Sequence, residues 1–255
     1  MAEVVIVRDA EAAGELAASV IEQVLRDKPD AVLGLATGST PLTTYAALAA
    51  RRPDLAAVRA FALDEYVGLP EGHPQSYRAV IAREAVAPLG LDPAKVRVPG
   101  DDGGPLAGAG DRYERAIAEA GGIDVQLLGI GRTGHIGFNE PGSSLASSTR
   151  IKTLTEQTRR DNARFFDSPA EVPKHCLTQG LGTILRSRRL ILLAFGEAKA
   201  DAVAGAVEGP VTASLPGSVI QLHPEVTVIV DEGAASRLAN AEYYRFAWEN
   251  RPDLG

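Results

Sequence analysis

The sequence predicts a three-layer, doubly wound α/β fold: a mostly parallel sheet with helices on both faces (Rossmann-like). Two observations predict it. Short apolar runs alternate with longer stretches whose apolar residues recur at helical spacing, and strands alternating with helices imply right-handed crossovers between parallel strands. The strand-like runs are apolar almost throughout rather than at every second residue, as expected of a sheet covered on both faces. The 255 residues show no internal repeat, long linker or break in composition. They fit one domain over residues 1–255, with a core large enough to need no covalent staples.

Taken in order, Glu3–Val7 (EVVIV) reads as the first strand and Ala10–Leu25 as a helix. Ala31–Ala36 (AVLGLA) reads as a buried strand. Pro41 suits the first position of the next helix, where its missing N–H costs nothing, and Thr43–Ala50 continues it. Ala60–Leu63 is a strand ending at Asp64–Glu65; Gln75–Val86 reads as helical and Val96–Val98 as a strand. Pro99–Pro105 (PGDDGGP) has the composition of a flexible surface connection. Leu106–Ala120 is a helix ended by Gly121–Gly122, and Ile123–Ile130 is a strand running into a glycine-rich turn. Leu190–Phe195 is a strand followed by a helix through Lys199; Val226–Val230 is the last strand, and a helix from about Ala234 closes the chain.

Composition narrows the function classes. Hydrophobic residues make up 45% and charged residues 23%, the balance of a folded globular protein. The net charge of −7 argues against nucleic acid as a partner. It is compatible with an anionic small substrate, since a few local cations can hold one phosphate. The one cysteine, Cys176, has no internal partner; it fits a reducing compartment and a small buried apolar side chain. The first residues lack a basic segment followed by a long apolar run, and no stretch reaches the ~18–20 apolar residues of a membrane helix. The expectation is a cytoplasmic protein with no membrane partner.

In open α/β sheets, ligands bind beyond the carboxyl ends of the strands, which selects four places. Thr37, Gly38, Ser39 and Thr40 lie between a strand and a helix start, where free backbone N–H groups and the helix dipole favour an anion. The same residues also suit an ordinary helix cap. The pattern is neither a Walker A loop nor the GxGxxG fingerprint. Asp64 and Glu65 follow a strand, and alternation sends them to opposite faces. A carboxylate beside apolar residues gains a raised pKa and can act as a base; a solvated acidic pair is the simpler alternative. Gly129, Gly131 and Gly134 turn the chain after a buried strand and present His135, with Glu140 near enough to hold the imidazole. Arg164 precedes two phenylalanines, and Lys199 stands at a helix start, against the dipole unless an anion binds there; either also suits a snorkelling surface cation. His73, His175 and His223 give no pair with metal-ligand spacing, so no metal is expected.

Together these segments resemble the glucosamine/galactosamine-6-phosphate isomerase family. The resemblance rests on LGLATGSTPLTTY at 33–45, LDEYVGLPEGHPQSY at 63–77, the stretch 134–166 beginning GHIGFNEPGSSLASSTRIKTL, and IQLHP at 220–224. It implies conversion of D-glucosamine 6-phosphate and water to D-fructose 6-phosphate and ammonia, in amino-sugar catabolism and without an organic cofactor. It also implies that His135, supported by Glu140, opens the sugar ring, and that Asp64 moves a proton between C2 and C1. Thr37, Gly38, Ser39, Thr40, Arg164 and Lys199 then match phosphate and sugar contacts. Thr133 departs from the Asp or Asn usual in the family; it can hydrogen-bond but carries no charge, so it is read as tuning the neighbouring histidine.

Some family members are hexamers activated by N-acetylglucosamine 6-phosphate. Ser143, Arg150, Lys152 and Thr153 match that activator site, and Tyr243 is a candidate for its aromatic contact. The SSLASSTRIKTL stretch also suits a lid or a subunit contact in a homo-oligomer. Two other functions stay open: an isomerase acting on galactosamine 6-phosphate, and a non-catalytic sugar-phosphate sensor. The sensor is disfavoured by the joint presence of Asp64, His135 and Glu140. A sensor for transcription would be expected to carry a DNA-binding module, and with the first strand starting at Glu3 none is expected here. Related sugar-phosphate lactonases share the expected fold but typically lack the GHIGFNEP segment.

Overall fold

A computed structural model describes residues 3–251. In chain order the elements are β1 (Glu3–Val7), α1 (Ala10–Asp27), β2 (Val32–Leu35), α2 (Leu42–Arg51), β3 (Arg59–Ala62), β4 (Asp64–Val67), α3 (Tyr77–Ile81), α4 (Ala87–Leu89) and β5 (Val96–Arg97). They continue with α5 (Ala109–Glu119), β6 (Val125–Gly129), β7 (Arg150–Thr153), α6 (Glu156–Asn162), β8 (His175–Thr178), α7 (Leu181–Leu185), β9 (Arg189–Ala194), α8 (Ala200–Val207), β10 (Val226–Asp231), α9 (Glu232–Ala235) and α10 (Ala241–Glu249).

The seven strands expected from the sequence form one sheet in the order β1-β10-β9-β6-β2-β3-β5. Every neighbouring pair in it is parallel. Its two faces are separately covered. Leu33 and Leu35 of β2 belong to the larger core with α1 and α2. Val32 of the same strand joins Phe61, Tyr113, Ile117 and Ile123, the cluster under α5. Strand alternation puts these residues on opposite faces. From β2 the chain proceeds outward to β3 and β5, and from β6 it proceeds the other way to β9 and β10. The crevice between β2 and β6 is therefore the topological switch point.

Asp124 ties these two strands at their amino ends. Its buried carboxylate accepts from Val32 N at 2.7 Å, pairs with Lys28 Nζ at 2.7 Å and takes a bond from Arg188 Nη1 at 2.8 Å. Beyond it the register sets Leu33 beside Val125 and Gly34 beside Gln126.

Five expectations need correction. Asp64–Glu65 do not close β3 but open β4, part of a second sheet of order β4-β8-β7 that is antiparallel throughout. The helix expected over Gln75–Val86 begins at Tyr77, widens to a π turn over Ala82–Val86 and resumes as α4. Pro88 has no N–H to continue the regular ladder, and Ala87 N bonds Ala82 O five residues back instead. The helix expected through Lys199 is a 3₁₀ turn over Glu197–Lys199, so Lys199 caps α8. The closing helix is split into α9 and α10. The Pro99–Pro105 connection is pinned: Arg112 pairs with Asp102 and donates to Pro105 O at 2.6 Å and Ala107 O at 3.1 Å. No helix among the described residues is long and apolar enough to cross a membrane.

Replacing Asp124 by Ala is expected to lower stability by about 1–3 kcal/mol, the cost of leaving a buried N–H without its acceptor. Thermal denaturation with an unchanged midpoint would contradict this role.

Candidate active site

A cavity of about 620 Å³ lies at the switch point. Thr37, Gly38, Ser39 and Thr40 form one wall directly after β2. The end of that strand is fixed by buried Tyr45, whose hydroxyl accepts from Ala36 N at 3.1 Å and donates to Ala36 O at 2.8 Å. Pro41 occupies the cap position of α2, one residue earlier than expected, and offers the helix no side-chain cap. The first N–H groups of α2 are thus not claimed by a capping side chain, the condition under which a helix start binds an anion.

Asp64 opens β4 and turns its carboxylate into the cavity. It is 5% exposed, and it accepts no hydrogen bond from any described residue. Burial raises its pKa well above the usual carboxylate range, and the neighbouring charge of Glu65 adds to the rise. Glu65 points to the other face as alternation requires. It accepts from Tyr66 N at 2.7 Å, Tyr77 N at 2.8 Å and Arg78 N at 2.8 Å, closing the start of α3.

His135 reaches the cavity because the chain folds back on itself after β6. Gly131 N donates to His135 O at 2.8 Å. The imidazole then lies directly over Gly131, where a Cβ would come within 2.1 Å of the ring. Nδ1 stands 2.8 Å from Thr133 Oγ1 and 3.4 Å from Glu140 Oε2, which leaves Nε2 for a bound molecule. Glu140 is buried behind the ring, and its Oε1 accepts from Thr155 N at 3.2 Å and Thr155 Oγ1 at 3.1 Å. Burial alone would push its pKa up. The hydrogen bond and charge of His135, with donors from Thr158 and Thr155, outweigh it and bring the pKa down to about 2.

Arg164 and Lys199 also line the cavity. The Arg164 guanidinium carbon lies 4.7 Å from the Phe165 ring centroid. Burial lowers the pKa of Lys199; Asp161 opposes the shift, and the nearby charges of Arg164 and Arg132 reinforce it. Three cations thus gather near one point. Arg132 escaped the sequence reading, although it sits in the glycine turn that carries His135. The aromatic wall of Tyr66, Tyr77, Phe138 and Phe166 was also missed; these residues come from segments that are far apart in sequence.

The remaining candidates lie outside the cavity. Ser143 is buried and donates to Glu140 O at 2.7 Å. Arg150 Nη1 donates to Asn139 Oδ1 at 2.8 Å. Lys152 and Thr153 are neighbours on β7, and Thr153 Oγ1 is 3.3 Å from His175 Nδ1. Tyr243 is exposed on α10, which packs on the edge strand β1, apart from the other four. Cys176 is fully buried on β8, and burial pushes its thiol pKa up, disfavouring a reactive thiolate. Among the described residues no three His, Cys, Asp or Glu side chains converge as a metal site would require.

Comparison with known proteins adds three findings. The family model described as glucosamine-6-phosphate isomerases/6-phosphogluconolactonase matches residues 8–229. The chain is 57% identical over 265 residues to a glucosamine-6-phosphate deaminase of Bifidobacterium longum (strain DJO10A), covering 99% of this chain and 98% of the relative. It is 58% identical over 256 residues to one of Streptomyces coelicolor, covering 98% of each. Among solved structures, a monomeric glucosamine-6-phosphate deaminase superposes with a TM-score of 0.88 at 41% identity, over 92% of this chain and 99% of that one. A 6-phosphogluconolactonase from Trypanosoma cruzi superposes with a TM-score of 0.74 at 21% identity, over 94% and 97%; that likeness is one of fold.

Inorganic phosphate is expected to bind this cavity, and Lys199→Met to weaken it by roughly 10–100-fold, the worth of one charge-assisted hydrogen bond. Calorimetric titration showing equal affinity for the two proteins would remove Lys199 from the anion site.

Proposed function

This chain belongs to the glucosamine-6-phosphate isomerase/6-phosphogluconolactonase family, and from that premise we propose that it deaminates glucosamine 6-phosphate. D-Glucosamine 6-phosphate and water give D-fructose 6-phosphate and ammonia. The observation that carries this reading is the pairing, across one cavity, of a buried carboxylate without a hydrogen-bond donor (Asp64) and an imidazole backed by an ionised one (His135 on Glu140). The unpaired Cys176 suits the reducing cytoplasm to which we assign the reaction.

The steps follow from where the groups stand. The phosphate is held by the N–H groups at the start of α2, Arg164 and Lys199. His135 Nε2 takes the O1 hydroxyl proton as the C1–O5 bond breaks and returns a proton to O5, leaving an open-chain aldehyde. Asp64 removes the C2 proton while the aldehyde oxygen takes a proton from solvent, which gives an enolamine. It then returns the proton to C1, so that C1 becomes CH₂OH and C2 an iminium. Water adds at C2 and ammonia leaves, giving the ketone. No electrons are gained or lost overall, and each positioned proton transfer is worth ~10²–10⁴-fold. Burial of Asp64 makes its carboxylate a stronger base than an exposed one.

Regulation by N-acetylglucosamine 6-phosphate is part of the proposal. The register of the small sheet runs Asp64–Thr178–Arg150 and Tyr66–Cys176–Lys152, so Arg150 and Lys152 share a face with Asp64. Thr155, just past β7, holds Glu140. A phosphate drawn to β7 would thus bear on both catalytic carboxylates. In the family this regulation accompanies a hexamer, and we extend the proposal to a homo-oligomer here. Light scattering at the monomer mass would end that extension.

Purified protein supplied with glucosamine 6-phosphate is expected to form ammonia and fructose 6-phosphate in equal amounts, with His135→Ala losing at least ~10²-fold. Absence of turnover in the unmodified protein would overturn the assignment. The base must be ionised, so activity is expected to fall as pH drops through the raised pKa of Asp64. That limb should lie above the ~3.9 of an unperturbed aspartate, and a limb at or below that value would argue against Asp64. Added N-acetylglucosamine 6-phosphate is expected to move the substrate saturation curve to lower concentration; superimposable curves would end the regulatory proposal.

A further inference from the structure

We propose that the Thr133 hydroxyl is a one-way hydrogen-bond bridge that fixes His135 in the tautomer protonated on Nδ1, and so reserves Nε2 as the base facing the cavity. The three groups form a closed triangle. Thr133 Oγ1 is 2.8 Å from His135 Nδ1 and 3.3 Å from Glu140 Oε2, and Nδ1 is 3.4 Å from the same carboxylate oxygen.

Donor counting decides the direction. A hydroxyl has one proton to give, and an ionised carboxylate can only accept. Glu140 is held ionised by donors that do not depend on the ring: Thr155 N and Thr155 Oγ1 donate to its Oε1 at 3.2 and 3.1 Å. If Nδ1 were unprotonated, the hydroxyl would have to choose between the ring and the carboxylate. The contact between Nδ1 and Oε2 would then set two acceptors against each other in a buried site. With the proton on Nδ1, every side of the triangle pairs a donor with an acceptor. Nδ1–H donates to Oγ1, Oγ1–H donates to Oε2, and the ring hydrogen lies on the side of the negative charge. The hydroxyl proton also goes to the charged acceptor, the stronger of its two possible bonds.

This arrangement opposes the intrinsic preference of a neutral imidazole in water, which keeps its proton on Nε2. The choice of base is therefore imposed by the site. Gly131 makes room for the ring in this position, since any Cβ there would overlap it. Thr133 is a positioning residue: it relays the charge of Glu140 to the ring without placing a second carboxylate beside it. Its consequence for catalysis rests on the deamination reading above, but the tautomer itself does not.

The test is nitrogen-resolved NMR of protein labelled with ¹⁵N-histidine, at alkaline pH, with the His135 signals assigned by their loss in His135→Asn. The expected pattern for the unmodified protein is a protonated Nδ1 and an unprotonated Nε2. In Thr133→Val, which is close in shape but has no hydroxyl, the Nδ1 proton keeps only the 3.4 Å contact with Glu140, and a population protonated on Nε2 is expected to appear. Its kcat should fall roughly tenfold with little change in KM. Thr133→Ser should restore both the Nδ1-protonated pattern and the rate, which a purely space-filling role would not require. A proton on Nε2 in the unmodified protein, or an unchanged pattern in Thr133→Val, overturns the bridge. If Thr133→Val fails to fold, the unmodified protein and the serine variant still decide it. The expected tautomer in a protein that turns over no amino-sugar phosphate would uphold the bridge and overturn the deamination reading.

Discussion

The pairing of β2 with β6 is the constraint on which the site depends. These strands are parallel neighbours from which the chain departs in opposite directions. No crossover covers the gap above their carboxyl ends, and a crevice results without any special sequence to hollow it out. Asp124 secures the pair from the opposite end, bonding the first residue of β2 and drawing in Lys28 and Arg188. What each strand delivers then follows from its own turn. β2 ends in small hydroxyl residues and an uncapped helix start; β6 ends in the glycine turn that folds His135 over Gly131.

The second sheet adds the group that neither turn supplies. The chain leaves β3 at Leu63 and pairs at once with β8, so Asp64 is oriented by antiparallel register. Two buried carboxylates then meet opposite treatment. Asp64 has no donor among the described residues and its pKa rises; Glu140 is surrounded by Thr133, Thr155, Thr158 and His135, and its pKa falls. Environments that drive two like groups apart in this way are how a site separates a proton-accepting base from a fixed charge. The proposed roles of the two residues follow that division.

Much of this was legible in the sequence, for identifiable reasons. All seven strands of the parallel sheet were read, because buried strands concentrate apolar residues and the glycine and hydroxyl turns mark their ends. The residues after β2 and β6, the Asp64–Glu65 alternation and Lys199 in the segment after β9 followed from position; Arg164 stood out for the two phenylalanines that follow it, and its link to a phosphate came from the family resemblance. The small sheet was not legible. Its strands DEYV, RIKT and HCLT are four residues long and carry charged or polar side chains. β4 pairs with β8 across more than half of the first 178 residues, and no local turn announces that pairing. The π turn before α4 was hidden because the helical period hardly changes there, although Pro88 marked the place. Arg132 gives no signal of its own in that turn, where the glycines and the histidine three residues later are the distinctive features.

The proposed chemistry requires one placement: a single sugar phosphate reaches the α2 start and cations with its phosphate, Asp64 with C2, and His135 with its ring oxygen end. A crystal structure with the reduced open-chain analogue 2-amino-2-deoxy-D-glucitol 6-phosphate tests it most directly. The phosphate is expected between the Thr37–Thr40 segment, Arg164 and Lys199, with C2 against the Asp64 carboxylate and the C1 end beside His135 Nε2. An analogue bound with C2 away from Asp64, or with its phosphate elsewhere in the protein, would contradict the account.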